Sequence, residues 1–171
     1  MRFFIGAGLL SATCACSQLD QSAAANDDAS PAATPLAAPA QGGPPLALSA
    51  SDPSVKWGPC PPVFTKPGCE IAVLHGDPAK PGADVLLRIP GGYAIPAHRH
   101  TSAERMILVS GELGVHYQGH AAATLAAGNY AYGPAGLAHD GLCKSTQPCT
   151  LFIAFDGPVD AEAVAGTIGY A

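Results

Sequence analysis

Between residues 70 and 157, short apolar runs are cut by glycine-bearing turns roughly every eight to twelve residues, and this spacing constrains the fold more than any other feature. Ile71–His75, Asp84–Ile89, Arg105–Val109, Leu113–Tyr117, Ala123–Leu125, Asn129–Tyr132 and Thr150–Phe155 each read as a strand. Gly91-Gly92, Ser110-Gly111, Gln118-Gly119 and Gly128 punctuate them. With 20 Gly and 17 Pro in 171 residues, few segments can sustain a helical period. Only Asp160–Ala165 reads as helical, and it is short. The pattern predicts an all-β domain of antiparallel strands, closed as a small barrel or stacked as a sandwich.

The strands do not begin at the N-terminus. Arg2, the apolar run Phe3–Leu10 and the small residues Ser11–Cys16 follow the order of an export signal over residues 1–16. The apolar run is too short to span a bilayer, which needs about 20 residues. A cysteine after such a run resembles a bacterial lipoprotein signal, which implies lipidation at Cys16 and a tether on the periplasmic side of the cell envelope. Release as a soluble periplasmic or secreted protein is the alternative. Residues 17–52 are rich in Ala and Pro, and no basic residue lies between Arg2 and Lys56. Such a segment lacks an amphipathic period, cannot bury a core and reads as a disordered linker. Residues 53–171 then form one domain.

Four cysteines fall in that domain, and an exported chain meets an oxidising compartment. The expected pairing is Cys60 with Cys69 and Cys143 with Cys149, each closing a short segment of turn residues. The second would staple a hairpin. Neither spacing is the two-residue knuckle of a structural zinc site.

The formal charge of −5 leaves no cationic surface for phosphates, which argues against a nucleic-acid partner. The chemistry instead concentrates in Gly92–Gly111, which carries His98, His100 and Glu104. On an extended strand, residues two apart share a face, so His98 and His100 converge. Two neutral imidazoles and a carboxylate suit a first-row divalent metal. His139 follows the turn Pro134-Ala135-Gly136, which can aim a further ligand from a neighbouring strand. His75, His116 and His120 lie outside these stretches and read as exposed or structural.

Gly92, His98, His100, Glu104 and Gly111 fill every position of the first motif of the cupin superfamily. Gly128, Pro134, Gly136 and His139 fill the second, with Cys143 where Asn is usual. The resemblance covers about residues 70–157. It implies a small antiparallel β-barrel of jelly-roll type holding one divalent transition metal (Fe, Mn, Zn, Ni, Co or Cu) on His98, His100, Glu104 and His139. It also implies a possible homodimer. The stretch His75-Gly76-Asp77-Pro78 with Lys80 resembles single-domain bacterial cupins of the ChrR-like and diketone-cleaving dioxygenase types.

The resulting expectation is an exported metal-binding cupin, with a dioxygenase-like oxidoreductase favoured. A metal-dependent isomerase, lyase or decarboxylase is a second possibility, and a non-catalytic ligand-binding or metal-binding envelope module a third. A polar pocket at the metal favours catalysis; an apolar one favours binding. The expected substrate is a small polar organic molecule. Candidate pocket residues are Arg88, able to clamp a carboxylate if it points inward, and Tyr93 and Tyr132, with Tyr130 nearby. Alternation sets Arg88 apart from the apolar face formed by Val85, Leu87 and Ile89, so solvent is the rival place for it.

Overall fold

The computed structural model describes residues 45–170, and every regular element among them is a β-strand. The strands are β1 (Gly58–Pro59), β2 (Glu70–His75), β3 (Asp84–Ile89), β4 (Ala94–Arg99), β5 (Glu104–Ser110), β6 (Glu112–Tyr117), β7 (Ala123–Ala126), β8 (Tyr130–Gly133), β9 (His139–Cys143), β10 (Cys149–Phe155) and β11 (Glu162–Ala163). They form two antiparallel sheets, ordered β1-β2-β3-β10-β5-β8 and β11-β4-β9-β6-β7. The expected signal over residues 1–16, and the linker up to residue 44, lie outside the described residues. Among the described residues no helix is long and apolar enough to cross a membrane.

Alternation assigns each strand an inner face. On β5, Glu104, Met106 and Leu108 are buried, while Ile107 and Val109 are exposed on the outer face. Leu108 pairs with Leu151 of β10, and Leu151 pairs with Leu87 of β3, which gives the six-stranded sheet a continuous apolar row. Leu113, Val115 and Leu125 supply the facing layer. Fully burying one such side chain contributes roughly 1.5–3 kcal/mol, so this core is the main source of stability.

The all-β antiparallel jelly-roll class holds, with one refinement and two corrections. Among the described residues no ladder joins the two sheets, which stack as a jelly-roll-like sandwich rather than a closed barrel. The end strands, β1 and β11 at two residues and β7 and β8 at four, are too short to bond around the rim. Asp160–Ala165 is not helical. Six residues cannot repay the cost of nucleating a helix, whereas pairing with β4 (Glu162 opposite Arg99, Ala163 opposite His98) supplies backbone partners directly. Cys143 and Cys149 are bonded to each other, but they do not staple a hairpin: Cys143 ends β9 in one sheet and Cys149 begins β10 in the other. The Cys60–Cys69 disulfide closes the loop from β1 to β2. Two such pairs fit an oxidising compartment.

Candidate metal centre

The inner face of the five-stranded sheet brings the histidines together. His98, next to last in β4, lies opposite His139 at the start of β9. Counting back from His98, strict alternation would put Ile95 on the opposite face, yet both line one cavity. The β4–β9 register shifts between Ile95 and His98, a bulge that re-aims the strand. Pro96 sits within the shift, where it has no N–H to lose from a ladder. His100 lies just beyond β4. On the far side, Gly136 takes φ +75°, a left-handed turn that costs glycine little, and its N–H donates to the His100 carbonyl at 2.8 Å. The two motifs are thereby bonded to each other at the site.

One ring nitrogen from each of His98, His100 and His139 lies within 4.8 Å of the others, and all three residues are buried. The opposite nitrogen of each ring is tied to a backbone carbonyl. His98 Nδ1 meets Pro96 O at 2.7 Å, His139 Nδ1 meets Leu137 O at 3.3 Å, and His100 Nδ1 meets Asp160 O. A carbonyl only accepts, so each Nδ1 carries the proton and each Nε2 presents a lone pair. Glu104 stands beside two of the three rings: its carboxylate oxygens lie 3.4 Å from His100 Nε2 and 3.3 Å from His139 Nε2. His100 Nε2 and Glu104 Oε1 are buried without any hydrogen-bond partner. Such orphans are costly in a protein alone. The donor set fits a divalent transition metal, which takes neutral imidazole and carboxylate and is helped by carbonyl-anchored rings.

The electrostatics point the same way. Burial pushes His98 down to about 4. Burial, with the two neighbouring histidines, pushes His139 down to about 3. Burial lowers His100 as well, against an opposing hydrogen bond to Asp160. Neutral imidazoles are the form that ligates. Burial also raises Glu104 to about 8, so an ionised carboxylate there needs a nearby cation.

Arg88, Tyr93 and Tyr132 do not line the cavity. Arg88 faces outward, donates through Nε and Nη2 to Glu70 at 3.0 and 2.6 Å, and stacks over Trp57 at 4.1 Å. Tyr93 is buried, but its hydroxyl donates to the Lys66 carbonyl and so anchors the loop closed by Cys60–Cys69. Tyr130 and Tyr132 are both exposed. His116 Nε2 bonds the His120 carbonyl, away from the centre.

Three residues at the centre are not singled out by sequence reasoning. Asp160 braces His100 through its backbone carbonyl, while its carboxylate accepts from the Thr101 N–H at 3.0 Å and from the Thr101 hydroxyl. Tyr117 stacks at 5.2 Å from His139, with its hydroxyl buried and unpartnered. Phe64 meets His98 edge-on at 5.3 Å. Of these, only Tyr117 has a legible signal, the inward alternation of Leu113, Val115 and Tyr117 along β6. The centre opens on a cavity of about 50 Å³ between the sheets.

Residues 50–160 match the family described as the ChrR cupin-like domain. No curated protein matches the chain. Among solved structures, DMSP lyase DddQ from Ruegeria pomeroyi DSS-3 superposes with a TM-score of 0.56 at 17% identity, covering 64% of this chain and 61% of that one. A variant of oxalate decarboxylase from B. subtilis gives 0.52 at 16% identity, covering 65% of this chain and 30% of that one. The chain thus spans about three-fifths of the lyase chain and under a third of the decarboxylase chain. At these identities the likeness is one of fold.

Proposed function

The chain belongs to the ChrR cupin-like domain family, and from that premise we propose that it is an exported, single-metal cupin enzyme acting on a small molecule, with dioxygenase-like oxidoreductase chemistry. The observation that carries this reading is the set of three Nδ1-anchored imidazoles, with the orphaned Glu104 carboxylate beside two of them. His98, His100 and His139 would hold the metal, with Glu104 as the fourth ligand and the source of negative charge. A divalent metal there supplies Lewis-acid chemistry and, for iron, manganese or copper, one-electron chemistry.

The protein's own residues do the rest. The carbonyls of Pro96, Leu137 and Asp160 orient the rings and fix the tautomers. The apolar walls thin out water and admit dioxygen, which is itself apolar. Tyr117 packs its ring beside His139 and keeps a buried, unpartnered hydroxyl that can donate a hydrogen bond. The domain would be carried to the periplasmic side of the cell envelope by residues 1–16 and tethered through Cys16 and the linker, the two disulfides being suited to that compartment.

The apolar lining favours one second reading, a module that captures a small ligand without turning it over. The test is an oxygen-electrode assay of metal-loaded protein across candidate small molecules, with products analysed in parallel. Oxygen uptake coupled to substrate loss supports the dioxygenase reading. Substrate loss without oxygen uptake supports the lyase, decarboxylase or isomerase reading. Tight binding with no loss supports the capture module.

A further inference from the structure

The walls of the cavity state what kind of molecule can occupy it. Besides the histidines, most of the side chains lining it are apolar, among them Leu87, Ile95, Met106, Leu113, Leu151 and Ile153. Asp140 and Asp160 are the other polar neighbours. The Asp140 carboxylate is already occupied by the backbone N–H groups of Ile168, Gly169 and Tyr170. Asp160 is held by Thr101. No lysine or arginine among the described residues lines the cavity. Arg88 is held by Glu70, Arg99 by Glu162, Arg105 by Asp156 and Lys144 by Glu112, all outside the cavity. The titratable side chains beside His100, Glu104 and Asp160, are both acidic.

A carboxylate distant from the metal would find no cation among the residues lining the cavity, and the Tyr117 hydroxyl alone does not neutralise a charge; an unpaired buried charge is strongly unfavourable. An apolar body would instead gain from every methylene removed from water. We propose that the site selects an uncharged, largely apolar molecule that reaches the metal through a single polar end, with its body packed between Leu87, Leu113, Leu151 and Ile153. It departs from the polar substrate expected from the sequence. It deepens the functional reading above, on whose metal it rests.

Two measurements separate the proposal from that reading. In the first, the zinc-loaded full chain is titrated calorimetrically at pH 7 with aceto-, propiono- and butyrohydroxamic acid, which are uncharged when free at pH 7, release one proton to the buffer on binding metal through their polar end, and grow only in apolar length, and with oxalate. Affinity is expected to rise about fourfold per methylene, with oxalate weaker than the longest hydroxamate. Affinity that stays flat or falls with length, or oxalate as the tightest ligand, overturns the proposal while leaving the metal in place.

In the second, the metal-free chain is exposed to xenon and followed through its methyl resonances. Small dry apolar cavities take up xenon, so saturable shifts are expected at Leu87, Leu113, Leu151 and Ile153. Shifts there from a chain that takes no zinc would uphold the apolar class and remove the metal reading. No shift would overturn the proposal.

Discussion

Gly133 stands opposite Glu104 in the β5–β8 ladder, and a Cβ at Gly133 would come within 2.8 Å of the Glu104 carboxylate oxygen. It would also press on the Tyr117 ring at 3.1 Å. The glycine is therefore a space-maker: it lets a buried carboxylate lie against His100 and His139. Gly133→Ala should push that carboxylate off its position. Metal affinity, measured by competition with a chelator, is expected to fall about 10–100-fold. Melting of the metal-free protein should report a loss of about 1–3 kcal/mol from overpacking. Unchanged metal affinity would remove Glu104 from the centre.

Glu104 also sets the pH response of the metal-free protein. In the folded chain it stays protonated to about 8, whereas its ordinary value is 4.5. Between pH 6.5 and 8 the unfolded chain therefore binds fewer protons, and stability falls as pH rises, by up to about 1.4 kcal/mol per unit. His98, His100 and His139, partly protonated in the unfolded chain near pH 6.5 and neutral in the folded one, oppose that fall at the lower edge of the window and add little at its upper edge. Below 6.5, their ordinary value, they take protons when unfolded and resist them when folded. Stability then falls as pH falls. Thermal melts in chelator should peak near pH 7, where the two effects balance. Glu104→Gln should flatten the alkaline limb and leave the acid limb intact; an alkaline limb that survives in the variant contradicts the assignment.

Much of the fold is legible in the sequence. The turn spacing marks out β2, β3, β5, β6, β7, β8 and β10 to within a residue or two, because each is a short apolar run between glycines. β9 is not delimited that way: His139-Asp140-Gly141-Leu142-Cys143 has low strand propensity and is extended because β4 and β6 bond it on both sides. The helix expected at Asp160–Ala165 fails for the same reason, since a long-range partner outweighs local preference. The convergence of His98 with His100 can be read from spacing. The carbonyl of Asp160 cannot, because 60 residues separate it from the ring it braces.

Asp160→Ala tests that brace. Removing the carboxylate releases the Thr101 N–H and hydroxyl, and with them the segment whose carbonyl orients His100. Metal affinity should drop about tenfold, with only about 1–2 kcal/mol lost in stability. Chelator competition and melting measure the two effects separately. A stability loss with full metal affinity would make the brace purely structural.

The Cys143–Cys149 bond joins the sheet bearing His139 to the sheet bearing Glu104. Replacing both cysteines by alanine should cost about 2–4 kcal/mol, and reductant, which also opens Cys60–Cys69, should lower the wild-type midpoint by more than the variant's. Urea melts with and without reductant read it directly. Equal midpoints in all four conditions would show that the bond contributes nothing.

The central claim is that the three histidines hold a metal, and elemental analysis of the purified protein tests it most directly. Wild-type protein should carry close to one transition-metal ion per chain, and His98→Ala and His139→Ala should each lose it while remaining folded. A folded wild-type protein that arrives metal-free and takes up no added iron, manganese, zinc, nickel, cobalt or copper would contradict the account.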